Sequence, residues 1–217
     1  MQDETLFMLP LTAKHRQMAV NRRLLEKRRM GYMANTIEHP IWYPMEFDQL
    51  LEEFALADHP ALEIWPAEPE TCGALEALLQ ALYGGAWLTE GGETGQADHI
   101  NLQAALEWLR DRVRGGLIAR VGSREEALTH FLNGETALFM DWRTGDERRC
   151  ARELEKNGVE LLTMPYPSST GFVIRSFELT GVCVAAGANS ALAMRAAALW
   201  REDAQAQRAL GERGIWK

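Results

Sequence analysis

The chain has 217 residues, of which 47% are hydrophobic and 25% are charged, a composition that is ordinary for a globular protein with one large domain or two small ones. Its formal net charge of −8 argues against a general nucleic-acid-binding protein, because binding to phosphates needs a basic surface. No apolar run reaches the roughly 18 residues of a membrane-spanning helix, and the acidic start Met1-Gln2-Asp3-Glu4 does not resemble a secretory signal, which begins with basic residues.

The first predicted elements are short apolar strands at residues 5–11 and 17–21, followed by a short helix at residues 22–29 that ends near Gly31. The same region holds a basic cluster in which Glu26 is the one acid among the basic residues Lys14, Arg16, Arg22, Arg23, Lys27, Arg28 and Arg29. Two interpretations remain open. The cluster is either a solvated helix face or a surface that contacts an anionic partner.

Amphipathic helices are predicted next, separated by a short apolar segment at residues 62–65. Pro44 suits the first turn of a helix, and helical spacing places Phe47, Leu50, Leu51 and Phe54 on one face. The same spacing predicts helices around residues 75–82 and 101–114. Ser123 and Glu126 form a capping-box pattern that starts another helix. Helices thus alternate with short apolar strands, which predicts an α/β fold.

The stretch from residue 131 to residue 167 is the most informative part of the sequence. A helix ends at Asn133-Gly134, an apolar strand spans residues 137–140, and a polar-aromatic tip follows at residues 141–144. After one more helix, a second apolar strand spans residues 159–164, and further strands are predicted at 172–174 and 179–184. Open α/β sheets bind ligands outside the carboxyl ends of their strands. We therefore expect Trp142 to be exposed beside a ligand.

Signatures of catalysis and metal binding do not occur in the sequence. It contains no nucleophile elbow, no phosphate-binding loop and no dinucleotide fingerprint. Its five histidines lack the spacing of metal ligands. Its three cysteines, an odd number, leave at least one thiol unpaired within the chain. We predict a protein that is not an enzyme and that uses no metal and no cofactor.

Aromatic residues at predicted strand ends suggest a different kind of site. Indole rings stack on sugar faces, and neighbouring Arg and Glu side chains bind hydroxyl groups. Ordinary packing also explains any one of these rings. The aromatic residues concerned are Trp42, Trp65, Trp87, Trp142 and Tyr166.

Four segments, in the same order, resemble motifs of the type 1 extracellular solute-binding proteins, the maltose-binding-protein-like family. Residues 9–25 resemble the family's crossover strand, with Asn21 at the family's asparagine, and residues 45–54 resemble the helix after its TW-EE motif. Residues 131–142 match a pattern of Phe, GxxAM, apolar strand and Trp-bearing loop. Residues 182–200 resemble a strand and helix of the family's C-terminal half. Together these segments span most of the chain.

The resemblance implies an α/β fold, a periplasmic-binding-protein-like type II lobe with a mixed sheet flanked by helices. It implies one domain over residues 1–217 that corresponds mainly to the family's C-terminal lobe. Residues 131–167 would be the segment that visits the N-terminal lobe. That N-terminal lobe is expected to be missing from this sequence.

The resemblance also implies the solute-binding component of an ABC transporter, or a truncated form of one, located outside the cytoplasm. The ligand would be a carbohydrate or oligosaccharide, with Trp142 stacking on it and Arg143, Glu68, Glu70 and Arg175 binding its polar groups. Expected partners are the solute, an ABC permease or the missing lobe, and a second copy in a homodimer, but no nucleic acid. The alternative is a cytoplasmic ligand-sensing or regulatory domain derived from such a protein, which binds a small molecule or a protein partner. The basic cluster, the free cysteines and the missing signal favour the alternative.

Overall fold

A computed structural model of the chain describes residues 9–56, 59–65, 72–84, 99–173 and 176–182, together with positions 195 and 203. The described helices are α1 (Arg22–Lys27), α2 (Pro44–Ala55), α3 (Cys72–Tyr83), α4 (Ile100–Arg114), α5 (Arg124–Leu132) and α6 (Asp146–Asn157), with a short 3-10 helix at Gly31–Ala34. The described strands are β1 (Leu9–Asn21), β2 (Leu62–Ile64), β3 (Ile118–Arg120), β4 (Leu138–Arg143), β5 (Leu161–Met164) and β6 (Ser176–Val182).

The strands form one mixed sheet in the order β3-β2-β4-β1-β5, and β6 pairs with β1. β2 is parallel to both β3 and β4, whereas β1 is antiparallel to β5. The backbone N–H of Asn21 donates to the Ala137 carbonyl at 2.8 Å, so the end of β1 lies beside the start of β4. The predicted α/β class, with a mixed sheet flanked by helices, is confirmed.

The chain divides into two compact units. The larger unit comprises Arg16–Trp142 and Asp146–Ser176, and the smaller unit comprises Met1–His15, Arg143–Gly145 and Phe177–Lys217. In the smaller unit, the Thr144 N–H donates to the His15 carbonyl at 3.0 Å. Most of residues 131–167 therefore belong to the larger unit, and the idea that this stretch visits a second lobe stays a prediction.

The core of the larger unit contains the apolar helix faces that the sequence predicts. Phe47, Leu50, Leu51 and Phe54 of α2 are all buried. Aromatic rings extend this core, because Phe47 stacks on Trp42 at 6.5 Å and on Trp108 at 6.1 Å between centroids. Both indole N–H groups are satisfied: Trp42 donates to the Met33 carbonyl, and Trp108 donates to Asp48 Oδ1, each at 2.9 Å.

The first strand differs from its prediction. Two separate strands were expected at residues 5–11 and 17–21, but β1 is continuous from residue 9 to residue 21, while residues 5–8 lie outside the described chain. The two predicted strands left residues 12–16 between them unassigned. In the structure Arg16 is buried and its charge is balanced by a distant carboxylate, so a basic residue can belong to this strand.

The strand predicted at residues 172–174 is wrong over its described part. Phe172 is 76% exposed, and residues 168–173 form a turn. Side-chain hydroxyls hold this turn, because the Thr170 N–H donates to Ser168 Oγ and the Phe172 N–H donates to Thr170 Oγ1, both at 3.3 Å. These local bonds compete with pairing in a sheet. Ile174 lies outside the described residues.

Candidate functional site

Four charged residues meet at the edge of the sheet where the parallel strands end, which we call the carboxyl edge. Arg16 belongs to β1 and Asp141 belongs to β4, while Arg124 and Asp146 are the first residues of α5 and α6, the helices that follow β3 and β4. All four side chains are buried. We call Arg16, Arg124, Asp141 and Asp146 the charged cluster.

Arg124 is the centre of the charged cluster. Its Nε donates to Asp141 Oδ2 at 2.6 Å, and its Nη2 donates to the Asp141 carbonyl at 2.8 Å and to Asp146 Oδ2 at 3.0 Å. Its guanidinium also lies 5.3 Å from the centroid of the Phe139 ring. Arg124 thus links Asp141 of β4 to Asp146 at the start of α6.

Arg16 approaches Asp141 from the other side. Arg16 Nε lies 3.3 Å from Asp141 Oδ1, so the fully buried carboxylate sits between two guanidinium groups. A Cβ on Gly73 would lie 2.0 Å from Arg16 Nη1, and a glycine is therefore needed there for this position of Arg16. Burial raises the pKa of the nearby Glu76 carboxyl, and the charge of Arg16 opposes that rise.

Local capping explains why Arg124 begins α5. Ser123 Oγ accepts a hydrogen bond from the Glu126 N–H at 3.1 Å, and Glu126 Oε2 accepts one from the Gly122 N–H at 2.7 Å. The predicted start of this helix at Ser123 is confirmed. A cation in the first turn of a helix opposes the helix dipole. Asp141 and Asp146 compensate for that cost at Arg124.

Trp142 occupies a different environment from the one the sequence predicts. The exposed position expected at the strand tip is wrong, because Trp142 is only 4% exposed. Its ring centroid lies 6.0 Å from that of Phe131 and 6.5 Å from that of Phe139. The strand extends to Arg143 instead of stopping at residue 140, so Trp142 remains inside the packed layer between β4 and α5. A role for Trp142 in binding a ligand stays a prediction.

The other predicted ligand residues are only partly described. Arg143, the last residue of β4, is half-buried. Glu68, Glu70 and Arg175 lie outside the described residues, as does Trp87. A common site for the five predicted ligand residues therefore stays a prediction.

The remaining aromatic residues of the predicted strand ends are enclosed. Trp42, Trp65 and Tyr166 are all buried, and the Tyr166 hydroxyl donates to the Met140 carbonyl at 2.7 Å. The exposed aromatic side chains that the sequence interpretation missed include Tyr43 and Phe172. It also missed the charged cluster, for which a signal did exist. Asp141 directly follows the apolar residues 137–140, and Arg124 starts a helix where acidic residues are usual.

The described residues offer neither a metal-binding group nor a membrane-spanning helix. Within them, no group of three His, Cys, Asp or Glu side chains could hold a metal ion. None of the described helices is both long enough and apolar enough to cross a membrane. The charged cluster contains two cations and two anions, which compensate one another.

No protein-family model matches the chain, and no curated protein sequence matches it. Among solved structures, the chain is similar to a protein from Synechococcus sp. MITs9220 that has been provisionally assigned as an oligosaccharide periplasmic-binding protein. The TM-score is 0.70 at 15% identity, and the match covers 96% of this chain and 51% of the other. The fold is that of a periplasmic solute-binding protein.

The described sheet and the structural neighbour agree on this fold, so the periplasmic-binding-protein-like fold expected from the four sequence segments is confirmed. The chain spans about half the length of the neighbour. The expectation that the chain is not an enzyme stays a prediction. The assignment to the maltose-binding-protein-like type and to the C-terminal lobe stays a prediction.

Proposed function

We propose that this chain is a solute-binding domain whose ligand is a carbohydrate or oligosaccharide, and that it serves an ABC transporter outside the cytoplasm. The observation that carries the proposal is the solute-binding fold with a fixed carboxyl edge, where Arg124 bonds to Asp141 and Asp146 on either side of segment 142–145. Binding groups that such an edge holds in place before the ligand arrives lose less entropy on binding.

Arg143 is the described residue best placed to contact such a ligand. It is half-buried and lies within the segment that the charged cluster flanks. In this proposal Trp142 stacks on the sugar, and Glu68, Glu70 and Arg175 complete the site. The partners are the solute and an ABC permease, with the other lobe supplied by the family's N-terminal region or by a second copy of the chain. Closure over the ligand follows from a higher affinity of the closed state.

The burial of Trp142 favours a second candidate function. A ring that is enclosed by Phe131 and Phe139 offers little surface for stacking on a sugar. The second candidate is therefore a ligand-sensing or regulatory domain that keeps the solute-binding fold in the cytoplasm and binds a different small molecule or a protein partner.

Thermal unfolding of the purified chain with a panel of monosaccharides, oligosaccharides, amino acids and short peptides distinguishes the two candidates. A sugar present at about 100 times its Kd stabilises the folded chain by about 2.7 kcal/mol, which raises Tm. Arg143→Ala is expected to abolish the rise. Arg148→Ala is the matched control, because Arg148 is exposed on α6 and is expected to leave the rise unchanged.

The outcomes separate clearly. A rise with sugars that depends on Arg143 supports the transport proposal. A rise with another class of compound and none with sugars supports the sensing domain. The same loss of the sugar response in Arg148→Ala as in Arg143→Ala contradicts the site assignment.

A further inference from the structure

We propose a second ligand site, at the edge of the sheet opposite the charged cluster, that binds a small phosphate-bearing anion. A cavity of about 300 Å³ lies there, and we call it the amino-edge pocket. Residues of α1 and α2 and of the loops before β2 and β4 form its wall. They include Lys27, Arg28, Phe54, His59, Gly134 and Glu135.

The topology separates this pocket from the carboxyl edge. β1 ends at Asn21, directly before α1, and β4 begins at Leu138, directly after the loop that contains Gly134 and Glu135. The pocket therefore lies where the parallel strands begin. Asp141 stands three residues further along β4, which corresponds to about 10 Å at a rise of about 3.3 Å per residue. The two sites are distinct.

Among the described residues, no carboxylate pairs with the cations of the pocket. Within the described chain, neither Lys27 nor Arg28 forms a salt bridge, whereas Arg22 on the same helix binds Glu26 at 3.0 Å. Arg28 is held by packing, because its guanidinium lies 5.8 Å from the centroid of the Phe54 ring. An arginine and a lysine at the mouth of one cavity are thus available to an anion from outside.

The carboxylate in the wall is engaged elsewhere. Among the described residues that line the pocket, Glu135 is the one acid. Its Oε1 accepts a hydrogen bond from Asn133 Nδ2 at 3.1 Å, and its Oε2 lies 3.9 Å from His130 Nε2. These two partners reduce the repulsion that Glu135 would exert on an anion in the pocket. His59 adds an imidazole to the wall.

The end of α1 supports the same interpretation. The Met30 N–H donates to the Leu25 carbonyl at 2.9 Å and the Arg29 N–H donates to the Glu26 carbonyl at 3.0 Å, a pattern in which glycine usually occupies the Arg29 position. Arg29 has a φ of 60° there, a conformation that is strained for arginine but not for glycine. The Leu25 and Glu26 carbonyls, which would repel an anion near the end of α1, are thus already hydrogen-bonded.

The chemistry of the wall indicates the ligand class. Lysine binds phosphate as a point charge and arginine binds it through a planar fork. A volume of about 300 Å³ is at the small end of ligand pockets, and Leu24 and Phe54 provide an apolar surface for a small organic group. A phosphate monoester fits these features. The basic cluster seen in the sequence is thereby assigned an anion-binding role near α1.

Isothermal titration of the whole chain with inorganic phosphate and with phenyl phosphate, at constant ionic strength, tests the proposal. We expect Lys27→Gln/Arg28→Gln to weaken binding of phenyl phosphate at least about tenfold, since a hydrogen bond to a charged group contributes this much. Arg148→Gln/Arg152→Gln removes the same charge from exposed positions of α6 and is expected to leave Kd unchanged. Glu135→Gln is expected to tighten binding, because it removes a negative charge from the wall.

Three results overturn the proposal. One is the absence of binding to the unmodified chain. Another is an equal Kd in both double variants, which indicates general attraction by charge. The third is binding to vesicles of phosphatidylcholine with phosphatidylglycerol, but not to soluble phenyl phosphate, which indicates a lipid surface. Circular dichroism checks that each variant is folded, and Lys27 and Arg28 are exposed, so loss of the fold is not expected.

Discussion

Replacing Arg124 by methionine is expected to destabilise the chain by about 3 kcal/mol. The change removes the hydrogen bonds at 2.6 Å and 2.8 Å to Asp141 and at 3.0 Å to Asp146, while the apolar side chain keeps the contact with Phe139. Breaking a buried ion pair from one side costs about 3–5 kcal/mol. The lower end applies here, because Arg16 still balances the buried charge of Asp141.

Urea unfolding followed by circular dichroism measures this effect. At an unchanged m value, a loss of about 3 kcal/mol lowers the midpoint by at least about 1 M. Arg149→Met is the matched control, because Arg149 binds the same Asp146 at 2.9 Å but its side chain is 60% exposed. Exposed pairs contribute less than about 1 kcal/mol. If Arg124→Met and Arg149→Met cost the same small amount, the charged cluster does not hold the carboxyl edge together.

Three further changes test other parts of the structure. Gly73→Ala places a Cβ 2.0 Å from Arg16 Nη1 and is expected to cost about 1–3 kcal/mol in thermal unfolding; no cost would show that Arg16 moves aside freely. Arg29→Gly relieves a φ of 60° and is expected to stabilise the chain by about 1 kcal/mol, so a lower Tm would contradict the strain. His130 Nδ1 lies 2.9 Å from both carboxylate oxygens of Glu63, and this bond raises the pKa of His130 above 6.5. Burial raises the pKa of Glu63, and the bond to His130 acts against that rise. Because the folded chain holds these protons more tightly, the stabilisation from His130 is complete below pH 6.5 and is lost as pH rises through its folded pKa. The free-energy difference between the unmodified chain and His130→Gln should therefore shrink as pH rises, and a difference that is constant with pH would refute the ion pair.

Local patterns in the sequence were sufficient for the described α-helices and for the fold class. The spacing of Phe47, Leu50, Leu51 and Phe54 identified the buried face of α2, and the Ser123 cap fixed the start of α5. Such signals work because each depends on residues within a few turns of one helix. The alternation of helices with short apolar strands was then enough to predict an α/β sheet.

The charged cluster and the burial of Trp142 depend on contacts between residues that are far apart in the sequence. Arg16 pairs with Asp141, 125 positions later, so the local sequence could not show that Arg16 belongs to a buried strand. Trp142 was predicted beyond a strand that ends at residue 140, but it lies within β4, which extends to Arg143. Its burial was not predicted either, because burial depends on how Phe131 of α5 packs against the strand.

The direction of β1 explains how one basic cluster in the sequence comes to have two roles. β1 runs from the carboxyl edge, where Arg16 lies, to the amino edge, where α1 begins. At the carboxyl edge the chain itself supplies Asp141 to balance Arg16, so that arginine contributes to the folded structure. At the amino edge no described carboxylate binds Lys27 or Arg28. A cation that is balanced within the chain stabilises the fold, whereas one that is left unbalanced beside a cavity can bind a ligand. The buried Arg16 thus fits neither interpretation left open by the sequence, whereas the proposed site assigns Lys27 and Arg28 to contact with an anionic partner.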